Sequence, residues 1–77
     1  MEIDPLGITP VYQQLADILR AEIRSGNLPV GKPLPSYVTL TQQYEVARGT
    51  AAKAVQLLVK EQLVRIVPGK GAYVISR

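Results

Sequence analysis

The sequence has no cysteine, histidine, tryptophan or phenylalanine among its 77 residues. The missing cysteine excludes disulfides and thiolate sites and fits a reducing compartment. The missing histidine excludes imidazole acid–base chemistry, and without either residue we expect no zinc site. The six carboxylates show no pairing typical of a catalytic dyad, and no glycine-rich phosphate loop follows a strand. We therefore expect neither an enzyme nor a bound cofactor.

Long apolar runs are also absent. No run approaches the roughly 18 residues of a membrane span, and "MEIDPLGITP" lacks the basic and then apolar pattern of a signal peptide. With 47% apolar residues, the chain is large enough for one small folded domain. These features predict a soluble cytoplasmic protein with no membrane partner.

Positive charge is concentrated in the second half of the chain. Residues 37–77 carry six cations and two carboxylates, whereas residues 1–36 carry three cations and four carboxylates, so the halves sum to +4 and −1. A basic half suggests a polyanionic partner, although charged surfaces are more often merely solvated.

The first half of the sequence predicts an arm, a helix and an ordered connection. Residues 1–8 are expected to form a loose N-terminal arm. A helix follows, with Thr9 as N-cap, Pro10 at the first helical position and Gly26 as left-handed terminator. Its apolar face is formed by Tyr12, Leu15, Ile18, Leu19 and Ile23. In the connection "NLPVGKPLP", the side chains predicted to pack on the core are Leu28, Val30 and Leu34.

Two further helices and a hairpin are predicted after this connection. Ser36 is the expected N-cap of a short second helix, and the third helix is expected over about residues 47–62. The predicted buried positions are Val38, Leu40, Thr41 and Tyr44 in the second helix, and Ala51, Ala54, Val55, Leu58 and Val59 in the third. The β-rich runs "LVRIV" and "AYVIS" flank "PGKG", which predicts a hairpin turn.

Three helices followed by a two-stranded wing describe a winged helix-turn-helix, a mainly α fold with a small β-hairpin, here assigned to residues 9–77. In this fold the second helix of the motif enters the major groove, where small side chains allow close approach. Around the start of the third helix, Ala47 and Gly49 are small, Arg48 can reach a base or phosphate, and Thr50 offers a hydroxyl. Lys70 lies at the predicted wing tip. An ordinary amphipathic helix with a solvated basic face is the alternative explanation.

The chain resembles the N-terminal DNA-binding domain of the GntR family of bacterial transcription regulators over about residues 10–75. The resemblance rests on "PVYQQLADILRAEIRSGNLPVGKPLPS", Leu40, Tyr44, "VARGT" and "GKGAYV". It implies a repressor-type regulator that binds an inverted repeat in double-stranded DNA as a homodimer. It also implies a C-terminal domain, absent from this chain, that dimerises and binds a small effector.

The resemblance also implies the DNA-contacting residues. These are Ser36 at the start of the second helix, Arg48 and Thr50 in the third, and Gly69 and Lys70 in the wing. Two arginines common in the family are replaced, by Val38 and Ala52, and an acidic residue is replaced by Tyr37. Lys53 is a possible substitute phosphate contact. Tyr37 either donates its hydroxyl to the DNA backbone or covers the core edge, whereas core roles are expected for Tyr12, Tyr44 and Tyr73.

The missing arginines leave a second function open. A winged helix can serve as a protein-interaction or dimerisation module with weak DNA affinity, and Val38 and Ala52 would then form its docking surface. The two hypotheses differ in whether a DNA duplex binds at low salt.

Overall fold

Three helices and one antiparallel hairpin make up the fold in the computed structural model, which describes residues 2–77. In chain order the elements are α1 (Val11–Ser25), α2 (Tyr37–Tyr44), α3 (Arg48–Lys60), β1 (Val64–Val67) and β2 (Gly71–Val74). This order confirms the predicted winged helix-turn-helix. No helix in the described part of the chain has the length and apolar character that a membrane span requires.

The start of α1 differs by one residue from the prediction, whereas its end agrees. Pro10 rather than Thr9 is the N-cap, with no side-chain cap. The reason is that the Pro10 carbonyl already accepts hydrogen bonds from the amides of Gln13 and Gln14, at 3.0 and 3.1 Å. At the other end Gly26 adopts φ 89°, the left-handed conformation that a side chain disfavours.

Helix α3 ends at Lys60, two residues before its predicted end. Gln62 has a positive φ of 63°. The amide of Gln62 donates to the Val59 carbonyl, and the amide of Leu63 donates to the Leu58 carbonyl. This pair of bonds is the Schellman pattern, which closes a helix without requiring glycine. The chain then turns directly into β1.

The core is built around α3, which packs against α1, α2 and β1. Ala51 and Ala54 are completely buried, and their small side chains let the neighbouring helices approach closely. The largest fully buried side chains are Leu15, Leu19, Ile23, Leu40, Val55, Leu58, Val64 and Val74. Of the five positions predicted for the inner face of α3, only Val59 remains partly exposed.

Two predicted core residues are on the surface instead. Val38 is 53% exposed and Val30 is 48% exposed. In α2 only Leu40 is fully buried, and Tyr37, Thr41 and Tyr44 are half-buried. These four residues have the i, i+3, i+4, i+7 spacing of one helical face, and Val38 lies off it. Val30 precedes a segment whose backbone is held by the sheet, and its side chain is left facing solvent.

The connection between α1 and α2 pairs with the wing. The amide of Gly31 donates to the Val74 carbonyl, the amide of Val74 donates to the Lys32 carbonyl, and the amide of Leu34 donates to the Ala72 carbonyl, all within 3.0 Å. Pro33 and Tyr73 form an isolated antiparallel bridge. These backbone hydrogen bonds and the single bridge tie the wing to the connection that leads into α2.

The N-terminal segment, predicted as a loose arm, makes hydrogen bonds with α1. The Gln14 side chain accepts a hydrogen bond from the Asp4 amide at 2.7 Å, and it donates to the carbonyls of Asp4 and Thr9 at 2.8 and 2.7 Å. Ile3 packs against the core. The sequence analysis missed this because the anchor is a single glutamine on α1. The boundary between the arm and the domain at residues 8 and 9 stays a prediction.

Candidate nucleic-acid interface

The first turn of α3 is presented to solvent by a tight turn after α2. Only residues 45–47 separate the two helices, and Glu45 makes the bend with φ 54°. Ala47, Arg48 and Gly49 are exposed, whereas Thr50 is half-buried. An added Cβ at Gly49 would have no neighbour within 4 Å, so no protein group crowds this surface.

Arg48 lies against the first residue of α2. Its guanidinium carbon is 5.5 Å from the centre of the Tyr37 ring, within the range of a cation–π interaction. Tyr37 is half-buried and packs on the core. The Tyr37 ring therefore covers the core edge, as one of its two predicted roles requires, and donation of its hydroxyl to DNA stays a prediction. The contact of Tyr37 with Arg48 was missed by the sequence analysis.

Ser36 caps α2 as predicted, and this uses its hydroxyl. The Ser36 Oγ accepts a hydrogen bond from the Thr39 amide at 3.1 Å and donates to Thr39 Oγ1 at 3.0 Å. The hydroxyl hydrogen is therefore engaged within the protein. An anion could instead bind the backbone amides in the first turn of α2, because these amides lack helical partners and lie at the positive end of the helix dipole.

The wing tip is formed by three residues between β1 and β2. Gly69 has φ 78°, and the amide of Lys70 closes the turn on the Val67 carbonyl at 3.0 Å. The Lys70 side chain is exposed. An open apolar groove runs between this tip and the start of α2, and its lining includes Ser36, Tyr37, Gly69 and Lys70. The fold thus brings four predicted site residues around one groove, with Arg48 beside Tyr37.

Lys53 and Thr50 lie beside other neighbours. The Lys53 Nζ is 5.0 Å from the centre of the Tyr12 ring on α1. Thr50 and Ala47 line a second cleft together with arm residues Ile3 and Pro5. The sequence analysis missed both the arm and Tyr12 as neighbours of α3. The sequence held one weak indication of the Tyr12 contact. Tyr12 lies at the edge of the apolar face of α1, where a tyrosine can keep one ring face exposed to a neighbour.

The charges on this surface are not neutralised by the protein itself. Within residues 2–77 both ion pairs belong to Arg20, which contacts Asp17 and Glu61 at 2.7 Å. The cations Arg48, Lys53 and Lys70 are exposed and have no carboxylate within ion-pair distance in the described residues. Glu2 and Glu45, by contrast, line a separate cleft near the helix-turn-helix bend. The positive surface therefore includes the α3 start and the wing tip.

Comparison with known families matches residues 11–74 to the model described as bacterial regulatory proteins, gntR family. The chain belongs to this family. One relative is the mannosyl-D-glycerate transport/metabolism system repressor MngR of Escherichia coli, which is 36% identical over 69 residues, or 90% of this chain and 29% of MngR. The chain thus spans less than a third of that relative's length.

Solved structures of family members share the same architecture. YtrA from Sulfolobus acidocaldarius, a GntR-family transcription factor, is 34% identical with a TM-score of 0.84, and the match covers all of this chain and 65% of YtrA. The AraR DNA-binding domain, in complex with its operator ORR3, is 32% identical with a TM-score of 0.83. That match covers 92% of this chain and 89% of the AraR domain.

Proposed function

We propose that this domain binds double-stranded DNA sequence-specifically and serves a bacterial transcriptional repressor. The observation that carries the proposal is the exposed first turn of α3, where small residues surround Arg48, which makes no ion pair within residues 2–77, together with an exposed lysine at the wing tip. A helix that enters a groove about 12 Å wide needs small side chains where its backbone comes close, and a long side chain whose hydrogen-bond donors reach the base edges. The similar AraR DNA-binding domain forms a complex with its operator, which supports DNA binding by this domain.

The proposed contacts divide into reading and anchoring groups. Arg48 and Thr50 reach base edges or phosphates from α3, and Ala47 and Gly49 allow the backbone to come close. The first-turn amides of α2, after Ser36, bind a phosphate, because a helix N-terminus favours an anion. Gly69 and Lys70 contact a neighbouring groove or phosphate, and Lys53 contacts the backbone. Phosphate contacts set position, and base contacts carry the sequence information.

The complete regulator is proposed to act in the cytoplasm as a homodimer on an inverted repeat. Each half-site would receive one α3, so that the two-fold symmetry of the protein matches that of the operator. A small effector would bind a further domain of the regulator, in line with the family resemblance. Transcriptional control, rather than catalysis, is the role we assign to this domain.

A protein-interaction module remains the second candidate because one observation favours it. Val38 occupies a family arginine position, and it is 53% exposed on the same helix that begins with the proposed phosphate anchor. An amide NMR titration with a mixed-sequence duplex at low salt separates the candidates. Shifts at residues 36–37, 47–53 and 69–71 support DNA binding, whereas an unchanged spectrum supports the interaction module.

Two alanine variants test the division into reading and anchoring groups. We expect Arg48→Ala to weaken binding to a selected duplex more than to a scrambled one, by about 1–3 kcal/mol in the specific term. We expect Lys70→Ala to weaken both similarly and to lower the slope of log affinity against log salt by about 1. Lys60→Ala, at the far end of α3, removes the same charge and is the matched control. Equal losses on both duplexes for Arg48→Ala would contradict its reading role.

A further inference from the structure

We propose that Tyr37 is a positioning residue, which holds the Arg48 side chain ready to read DNA. This inference rests on the proposed function. It concerns how the reading side chain is ordered before DNA arrives, and it assigns Tyr37 a role through its ring rather than through its hydroxyl.

The Tyr37 ring is fixed by the protein. Tyr37 is the first residue of α2, immediately after the Ser36 cap that sets the backbone there. It is half-buried, packs against the core, and begins the same helical face that buries Leu40. A ring held in this way belongs to the rigid part of the domain, so it can serve as a platform for a mobile neighbour.

Arg48 is a long, exposed side chain with one such neighbour. It makes no ion pair in residues 2–77, and its guanidinium carbon lies 5.5 Å from the Tyr37 ring centre. An aromatic face attracts the guanidinium charge without using the N–H groups, so the donors remain available for a base or phosphate. The contact thus limits where the guanidinium lies while leaving its recognition chemistry intact.

Ordering of Arg48 by the Tyr37 ring should affect sequence-specific binding more than general binding to DNA. Ordering a rotamer-rich side chain opposes association, and a side chain that is ordered beforehand loses less freedom on binding. Because Arg48 is the proposed reader, losing the Tyr37 ring should reduce the discrimination between a selected and a scrambled duplex. General attraction to the phosphate backbone depends on net charge, which a neutral substitution at Tyr37 leaves unchanged.

The contact between Lys53 and Tyr12 provides an internal control. It has the same chemistry, with the Lys53 Nζ 5.0 Å from the Tyr12 ring centre, but it joins α3 to α1 instead of α2. Tyr12→Leu therefore removes a tyrosine that contacts a cation elsewhere on the domain. It should leave the order of Arg48 unchanged.

The first measurement uses the free 77-residue chain and NMR signals of the Arg48 side chain. A ring beneath the guanidinium shifts the δ-methylene and Nε–H signals upfield. We expect this shift in the wild type, in Tyr37→Phe and in Tyr12→Leu, and its loss in Tyr37→Leu. An unshifted Arg48 in the wild type, or a shift that survives Tyr37→Leu, would overturn the proposal. If Tyr37→Leu is poorly folded, Tyr37→Met supplies an unbranched apolar side chain without a ring.

The second measurement is a double-mutant cycle with a duplex that the wild type enriches from a random pool, compared with its scrambled form. We expect Tyr37→Leu to lower the discrimination about 2- to 5-fold, with Tyr37→Phe unchanged. In an Arg48→Ala background, Tyr37→Leu should have no further effect on discrimination. An equal effect in both backgrounds would show a merely structural role. A loss in Tyr37→Phe as large as in Tyr37→Leu would assign the role to the hydroxyl, and either result overturns the proposal.

The same data separate this proposal from the proposed function. If the wild type enriches no duplex and shows no DNA-induced shifts, the proposed function fails, and the positioning role fails with it. If the wild type discriminates between duplexes and Tyr37→Leu discriminates equally well, only the positioning role fails.

Discussion

At the scale of single residues, the glycines of the candidate interface have opposite backbone requirements. Gly49 lies inside α3 with ordinary helical geometry, whereas Gly69 has φ 78° at the wing tip. A Cβ added at either position would meet no atom within 4 Å. The backbone conformation, rather than the available space, therefore decides how a side chain at each position changes the stability of the fold. At Gly49 the absence of a side chain gives no advantage to the fold, which is consistent with a constraint imposed by a bound partner.

We expect Gly49→Ala to stabilise the free domain by about 0.5–1 kcal/mol, because alanine restricts the unfolded chain and favours helix. The same methyl group should weaken DNA binding by obstructing close approach. Gly69→Ala should instead lower stability by about 1–2 kcal/mol, since alanine disfavours the left-handed conformation. Urea unfolding and a duplex titration measure both quantities. Tighter DNA binding by Gly49→Ala would contradict the proposed approach of α3 to the groove.

At the scale of elements, the two helices of the motif begin alike and differ in their caps. Ser36 and Ala47 have closely similar backbone angles, φ −63° and ψ 162° against φ −67° and ψ 153°. The Ser36 side chain caps α2, whereas Ala47 offers no acceptor to the first amides of α3. The first turn of the proposed reading helix is therefore left uncapped by a side chain.

Exchanging these caps gives a prediction with a built-in control. We expect Ala47→Ser to raise the free energy of unfolding by about 1 kcal/mol, because a serine in this backbone conformation can accept from an amide of the first turn. Ser36→Ala should lower it by a similar amount. Chemical denaturation of both variants measures the two changes. If Ser36→Ala is destabilising but Ala47→Ser has no effect, the first-turn amides of α3 do not donate to a serine at position 47, and the prediction for α3 is wrong.

The element order and the fold were predictable because their signals are local. Gly26, Ser36 and Pro68-Gly69 each act on neighbouring backbone, so the sequence reveals them directly. The prediction that Val38 is buried was wrong. The i, i+3, i+4, i+7 spacing that begins at Tyr37 decides which face of α2 packs on the core, and Val38 lies off that face although it is apolar. Contacts such as that of Arg48 with Tyr37 depend on how two helices cross, which no local pattern specifies. The assignment of site residues to DNA contacts stays a prediction.

At the scale of the whole molecule, one ion-pair group joins the first helix to the end of the third. The Arg20 guanidinium donates to both carboxylate oxygens of Glu61 at 2.7 Å and to Asp17. The bonds from Arg20 hold the pKa of Glu61 below its ordinary value of 4.5. The same bonds raise the pKa of Arg20, which therefore stays charged. This contact closes the domain on the side of α3 away from its first turn.

The lowered pKa of Glu61 predicts a pH dependence of stability. A carboxyl group whose pKa is lower in the folded state stabilises the fold above its unfolded pKa, and this contribution disappears as the pH falls through the folded value. We expect Glu61→Gln to be less stable than wild type at pH 7, by a few tenths to about 1 kcal/mol for a partly exposed pair. The difference should shrink as the pH falls below about 4.5. Thermal unfolding from pH 7 to pH 2 measures it, and a constant difference would contradict the assignment.

The pairing of the connection with β2 ties the wing to the segment that leads into α2. Lys32 and Leu34 hold β2 by backbone hydrogen bonds, and Ser36, the N-cap of α2, lies two residues after Leu34. A duplex that touches both α3 and the wing must therefore match a spacing set by the protein. DNA whose grooves are wider or narrower must bend or twist to fit, and the deformation energy differs between stiff and flexible base steps. The domain would then select sequences at base pairs that none of its side chains touch.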